Sequence, residues 1–392
     1  MGGIVKESFS LNLRVMRAFG FYPPEKHKNL YKLQGVLMNG VFIVLIVSLG
    51  CLYLVLEDNI DIVQIADNAF LLSEMGCYIT KFYPFIARGA QIKKCIRFFE
   101  APFFRISSPK QKLIIEDCNR TCRKINMIFL IFVSGSVTSW AAKPFFWKDY
   151  RLPVDVWLPF DALSGPRVYY PVYVFLVIGV SYAAYSSGAI DPLIAGLACH
   201  ATGQIRVLKD NLQYLNEYAG EELTRRNYRH DEGNILKSRI IYNKIKECVD
   251  HHDAILEFVK FYEKSFSLSV FSQFMGSIFV ICVTCLQLSM VDPLTFGFVS
   301  LIIYLTTMLS EIFLYCYFGS ILIDESNSLT DAIYMGEWYT YDIKARRSLI
   351  TLMERSKRPM VVTAGKILDL SLVTFTTIIR RSYSLLAVLK NY

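Results

Sequence analysis

Three kinds of pattern are missing from this sequence, and each absence removes a class of function. In 392 residues there is no H-E-x-x-H, no Gly-rich phosphate loop and no nucleophile–base arrangement. Zinc proteases and P-loop nucleotide hydrolases are therefore excluded, and neither an enzyme nor a cofactor is expected. Paired cysteines are missing too. Cys51, Cys77, Cys95, Cys118, Cys122, Cys199, Cys248, Cys282, Cys285 and Cys316 are scattered, none in a segment read as extracellular, so no disulfide framework is implied. Cys282-x-x-Cys285 stands inside an apolar run with no second pair, which argues against zinc or redox chemistry. Asp250-His251-His252-Asp253 looks like a ligand cluster, but neighbouring helix positions point different ways, so this stretch is predicted to be a solvated face. Finally, the opening M-G-G-I-V-K-E-S-F-S has no signal-peptide apolar stretch.

What is present is apolar. Hydrophobic residues make up 53% and aromatics 14%, with a mean hydropathy of +0.34. Soluble domains hold about 45–50% apolar residues even with Gly counted. This composition predicts an all-α, polytopic protein of the lipid bilayer. The net charge of +8 sits in loops between the apolar runs, which fits membrane orientation rather than nucleic-acid binding, and no nucleic-acid partner is expected.

Seven spans are predicted, at about 33–56, 60–88, 125–146, 169–198, 266–288, 294–323 and 358–392. They divide the chain into a cytoplasmic lead-in (1–32, with an interfacial helix near 8–20), spans one to four (33–198), a charged helical extension (199–262), spans five and six (263–323), a second charged segment (324–358) and the last span (359–392). A cytosolic N-terminus places Lys6, Arg14, Arg17, Lys26, Lys28, Lys32 and the basic residues of 89–123, 199–262 and 324–358 on one side. Only Lys148, Arg151, Arg167 and Lys390 fall on the other. The positive-inside rule then puts the N-terminus inside and the C-terminus outside. That is opposite to G-protein-coupled receptors, whose D-R-Y and N-P-x-x-Y signatures are also missing.

Polar residues inside spans mark candidate sites. In span two, Asp67, Phe70, Leu71, Glu74 and Tyr78 recur at helical steps and share a face. That face lines a cavity, or Glu74 is paired within the bundle; both readings fit. Span three has a small, polar centre, V-S-G-S-V-T-S-W-A-A, which admits a close helix or a ligand. In the last span, Lys366, Asp369, Arg380 and Arg381 interrupt an apolar run that also holds many Ser and Thr. It faces an aqueous path or the bundle interior, or packs with its hydroxyls satisfied.

Three stretches resemble the insect odorant receptor family. They are L-P-V-D-V-W-L-P-F-D at 152–161 leading into Y-Y-P-V-Y-V; S-L-T-D-A-I-Y-M-G-E-W-Y, with Ser328, Leu329, Ala332, Tyr334, Trp338 and Tyr339; and R-P-M-V-V-T-A-G-K followed by Leu370-Ser371-Leu372, Phe375 and S-Y-S at 382–384. Length, span count and inverted topology agree along the chain. The chain looks like an odorant-tuning subunit. It lacks the long second intracellular insertion of the co-receptor and the T-Y-hydrophobic-Q-F ending of gustatory receptors.

The resemblance implies a ligand-gated cation channel in the plasma membrane of the olfactory neuron dendrite, a heterotetramer with the olfactory co-receptor (Orco). The charged segments would form an intracellular helical anchor domain. The outer end of the last helix would form the pore wall, with Leu385, Leu386 and Leu389 as gate candidates beside Ser382 and Lys390. The odorant site would draw on Phe70, Leu71, Glu74, Tyr78, Val133, Ser136, Trp140, Phe175, Ile178, Tyr182 and Tyr304. A different class, a secondary transporter using Glu74, Asp191 and Asp369, predicts internal inverted repeats, and no such repeat is visible.

Overall fold

The computed structural model describes residues 2–22, 28–57, 62–88, 90–104, 106–146, 151–225, 233–293 and 295–390. Two short helices open the chain, α1 (Gly2–Ser8) and α2 (Ser10–Ala18). Val5, Phe9, Leu13 and Met16 form one apolar stripe at helical spacing, and all four are buried. Asn12 Nδ2 donates to Asn126 Oδ1 (3.0 Å) and to the Ala189 carbonyl (2.8 Å). The expected interfacial helix is therefore docked on the bundle, because its apolar stripe is continuous and the buried NH2 of Asn12 has partners.

α3 (Lys28–Asn39) passes through a π-helical turn, Gly40–Val44, into α4 (Leu45–Leu56). There follow α5 (Ile62–Arg88), α6 (Ala90–Phe98), α7 (Pro109–Ala142), α8 (Pro166–Gln213), α9 (Leu215–Arg225), α10 (Gly233–Met290), α11 (Phe296–Asn327), α12 (Leu329–Met335) and α13 (Ile343–Ser356). Local chemistry sets several starts. Ser108 accepts from the Gln111 N–H (3.2 Å) ahead of Pro109, Thr295 from Phe298 (3.2 Å) and Asp342 from Ala345 (3.0 Å).

Among the described residues, five helical stretches are long and apolar enough to cross a membrane: Asn29–Leu56, Pro109–Phe146, Pro166–Gln213, Ile235–Met290 and Phe296–Met335. The protein is a multi-pass, all-α membrane protein. α5 packs lengthwise on α10, and α7 and α11 pack on α8. The 48-residue α8 and 58-residue α10 are about 70 and 90 Å long at 1.5 Å per residue, more than twice a hydrocarbon core of about 30 Å. Their charged ends form a bundle beyond the apolar layer. There, Arg206 Nε and Lys209 Nζ both reach the Glu325 carboxylate at 2.8 Å. Burial raises the Glu325 carboxyl, but the two cations more than offset this and hold it below its ordinary value.

The stretch expected to be solvated, 250–253, is solvated only at its two aspartates, Asp250 and Asp253. His251 and His252 are both buried, and His251 Nε2 lies 3.1 Å from Gln204 Oε1 and edge-on to Phe104. The two imidazoles fill space between helices, and no group of His, Cys, Asp and Glu among the described residues is arranged to hold a metal.

The end of the chain also differs from expectation. The run from Arg358 is not one helix. β1 (Thr363–Ala364) pairs antiparallel with β2 (Leu368–Asp369), and α14 (Leu372–Lys390) begins only after this hairpin. Gly365 and Lys366 have φ of 61° and 60°, the two consecutive left-handed residues a tight primed turn requires. The hairpin is held to α10: Ser267 Oγ donates to the Thr363 carbonyl, the Gly365 N–H donates to the Ser267 carbonyl, and Glu263 accepts from the Thr363 hydroxyl. On the other side Gly319 of α11 lies so close to Leu370 that a Cβ would stand 2.1 Å from its carbonyl oxygen.

Candidate ligand site

The candidate site lies where α5, α7, α8 and α11 converge. α5 contributes Phe70, Leu71, Glu74, Met75 and Tyr78, one face at helical spacing. α7 adds Ser136, Val137 and Trp140; α8 adds Val180, Ala183 and Ala184; α11 adds Ser300, Leu301 and Tyr304. These enclose a cavity of ≈ 60 Å³. Its walls are aromatic and aliphatic: Phe70 meets Tyr304 edge-on at 5.2 Å, and Tyr78 stacks on Phe82 at 5.2 Å. Lys143, just past α7, also lines it, with its ammonium 5.9 Å from the Phe70 ring centre. A much larger cleft of ≈ 610 Å³ at the charged end is bordered by Glu221, Glu222, Arg225 and Lys244. It is mixed in charge, and does not suit an apolar ligand.

Beneath the cavity is a buried ionic network that the sequence reading did not assemble. Lys81, one turn below Tyr78, has no exposed surface. Its ammonium meets Asp191 at 2.7 Å, Glu311 at 2.8 Å, Gln273 Oε1 at 2.9 Å and Ser187 Oγ at 2.6 Å. Tyr315 donates to Asp191 Oδ1 at 2.6 Å. Gln273 Nε2 donates to Glu74 Oε1 at 3.3 Å, which links the network to the cavity wall. A signal existed in the sequence: Lys81, Asp191 and Glu311 are charges in three apolar runs, and such charges pair with one another. Nothing local said which pairs with which.

Of the expected ligand residues, Phe70, Leu71, Glu74, Tyr78, Ser136, Trp140 and Tyr304 share this cavity. The other four do not line it. Val133 packs against Gly188. Phe175 faces Phe42, with ring centres 6.1 Å apart. Tyr182 points to the chain's opening helices, accepting from Asn39 Nδ2 (2.9 Å) and donating to the Phe19 carbonyl (3.3 Å). Ile178 is 49% exposed, on the outer surface of α8. Helical periodicity put the α5 residues on the cavity side, whereas on α8 the expected residues, three and four positions apart, share a face turned away from the cavity. Small residues were overlooked there: Ala183 and Ala184 give the cavity its width.

Of the expected pore residues, Ser382 is buried, and its hydroxyl has no partner among the described residues. Leu385, Leu386, Leu389 and Lys390 belong to α14, but their side chains lie outside the described part. Glu74 and Asp191 both join the network, whereas Asp369 is an exposed residue of the hairpin.

Comparison with known proteins completes the picture. Residues 61–383 match the family described as 7tm Odorant receptor. The chain is 29% identical over 413 residues to Odorant receptor Or1 of Anopheles gambiae, covering 98% of this chain and 95% of that protein. It is 22% identical to odorant receptor 43b of Drosophila melanogaster, covering 80% and 74% of the two. The fold is similar to that of the olfactory receptor OR5 of Machilis hrabei, solved in complex with eugenol, with a TM-score of 0.82 over 99% of this chain and 97% of the other at 14% identity.

Proposed function

Because the chain belongs to the 7tm odorant receptor family, we propose that it is the odorant-tuning subunit of a ligand-gated cation channel. In this reading, small volatile molecules bind in the cavity between α5, α7, α8 and α11, and α14 lines the pore. α5 and α14 are the two spans that complete seven, with the N-terminus in the cytosol and the charged ends of α8 and α10 as the intracellular anchor. The working unit is a heterotetramer with the olfactory co-receptor in the dendritic plasma membrane of an olfactory neuron.

The observation that carries the reading is the cavity itself: walls of Phe70, Tyr78, Trp140 and Tyr304, the first three buried, with few polar atoms. Such a site selects small apolar molecules by shape and burial. A protein of the same fold holds eugenol, a ligand this lining would also suit. Two surfaces support assembly. Between Leu372 and Ser384 of α14, only Ile378 and Ser382 are buried, so this helix is left uncovered by its own chain. Tyr334, Met335, Tyr339, Ile343 and Ile350 are exposed on α12, α13 and the turn between them, an apolar surface outside the membrane layer.

The test is two-electrode recording from cells expressing the chain with and without the co-receptor, across a broad odorant panel. Odorant-evoked cation current that needs both chains is expected. Silence across the panel, with the protein at the cell surface, would sink the reading. No observation favours the carrier alternative, since Asp369 stands apart from the Glu74 and Asp191 network.

A further inference from the structure

We propose that the cavity selects neutral ring compounds carrying a hydroxyl group, with that hydroxyl bridging Glu74 and Tyr304. The inference rests on the odorant reading and specifies its ligand class. Two atoms carry it. Glu74 Oε2 and Tyr304 Oη are both buried, and neither has a hydrogen-bond partner among the described residues. Both residues line the cavity. Buried polar atoms left without partners are rare in folded proteins, and each calls for an explanation. Glu74 is itself 3% exposed. Its other oxygen accepts from Gln273, and its neighbours Asp191 and Glu311 are both answered by Lys81. Tyr78, on the same face of α5, also reaches toward the Glu74 carboxylate, so Glu74, Tyr78 and Tyr304 form a polar end of the cavity that a ligand hydroxyl can complete.

The chemistry of the two atoms narrows the ligand. A hydroxyl both donates and accepts, so one group can donate to the carboxylate oxygen while accepting from the tyrosine O–H. An ether or ester only accepts, and a hydrocarbon does neither. Ionised ligands are disfavoured because this mostly apolar lining strips them of water, a cost its few polar atoms do not offset. The remaining surface, Phe70, Tyr78 and Trp140, presents ring faces and edges suited to a six-membered ring.

Three probes of similar size separate the alternatives: benzyl alcohol, anisole and toluene, applied to the full-length chain co-expressed with the co-receptor. The half-maximal concentration for benzyl alcohol is expected to be at least about tenfold below those of the other two. A site built to hydrogen-bond a hydroxyl discriminates strongly against analogues that lack it. Tyr304→Phe removes only the phenolic oxygen. It is expected to raise the half-maximal concentration of benzyl alcohol about tenfold relative to that of toluene. Glu74→Gln should narrow the preference in the same direction, and Tyr304→Phe decides alone if that variant is not delivered to the surface. Equal potency of the three probes on the unaltered receptor overturns the hydroxyl inference and leaves the odorant reading standing. So does a Tyr304→Phe variant that loses all three responses equally, since Tyr304 would then serve only the cavity's shape. Silence to every odorant of a broad panel overturns both.

Discussion

Lys81 is the residue on which four helices depend. A fully buried ammonium is tolerated only when carboxylates and hydrogen bonds surround it, and here α8, α10 and α11 all supply partners. Removing one partner of such a set leaves uncompensated charge, at a cost of about 3–5 kcal/mol. Lys81→Met is therefore expected to abolish surface delivery or lower the melting temperature of detergent-solubilised protein by well over 5 °C; an unchanged melting curve would refute the structural role. Sequence reasoning reached the polar face of α5, because Phe70, Leu71, Glu74 and Tyr78 repeat within one helix. It could not reach the network, because Lys81 meets partners 110 and 230 residues away and no local period encodes that. His251 makes a second residue-scale point. Burial, and then His252 beside it, pushes its imidazole down to about 4, against about 6.5 for a free histidine. Between those values the unfolded chain binds a proton that the folded chain refuses, so stability is complete above about pH 6.5 and falls as pH drops toward 4. His251→Gln should flatten that acid loss by about 2–3 kcal/mol, read as a smaller drop in melting temperature between pH 7 and pH 5; an identical pH profile would refute it.

At the scale of elements, the hairpin between α13 and α14 sets where the last helix begins. The run from Arg358 is apolar and long enough to read as one helix, and only Gly365-Lys366 breaks it. Those two residues adopt left-handed conformations, which a helix cannot include. Gly319 fixes the same junction from the α11 side, where only a hydrogen fits against the Leu370 carbonyl. Gly319→Ala must displace that backbone and, with it, the base of α14. The expected result is a receptor that reaches the surface but opens poorly, with maximal odorant-evoked current reduced at least about fivefold; wild-type current would show that the junction yields freely. Element length was the more legible part. The helical character of 199–225 and 233–262 was legible in the sequence, while the continuity of α10 from Gly233 to Met290 required the fold itself.

For the whole molecule, hydropathy was enough to read a multi-pass helical protein, and charge asymmetry was enough to suggest its orientation. The apolar surface of α12 and α13 was not legible, because exposure in a single chain depends on what the fold leaves uncovered. If neighbouring subunits cover it, replacing Ile343 and Ile350 by Ser should reduce the tetrameric fraction on native gels without lowering helix content. An unchanged tetramer would place the subunit contacts elsewhere.

The size of the resting cavity has a kinetic consequence. At ≈ 60 Å³ it is well below the roughly 150 Å³ of an engineered cavity that takes up benzene. On the proposed function, a ring-sized odorant binds a transiently enlarged state, and its apparent dissociation constant is the intrinsic one divided by the fraction of time spent enlarged. If that fraction is about 1%, sensitivity is a hundredfold poorer than the contacts alone would allow. The onset of the response should then stop accelerating at high odorant concentration, because breathing of the four helices, and not encounter, limits it. Trimming the wall at Val137 would raise sensitivity to unrelated odorants together, trading discrimination for speed.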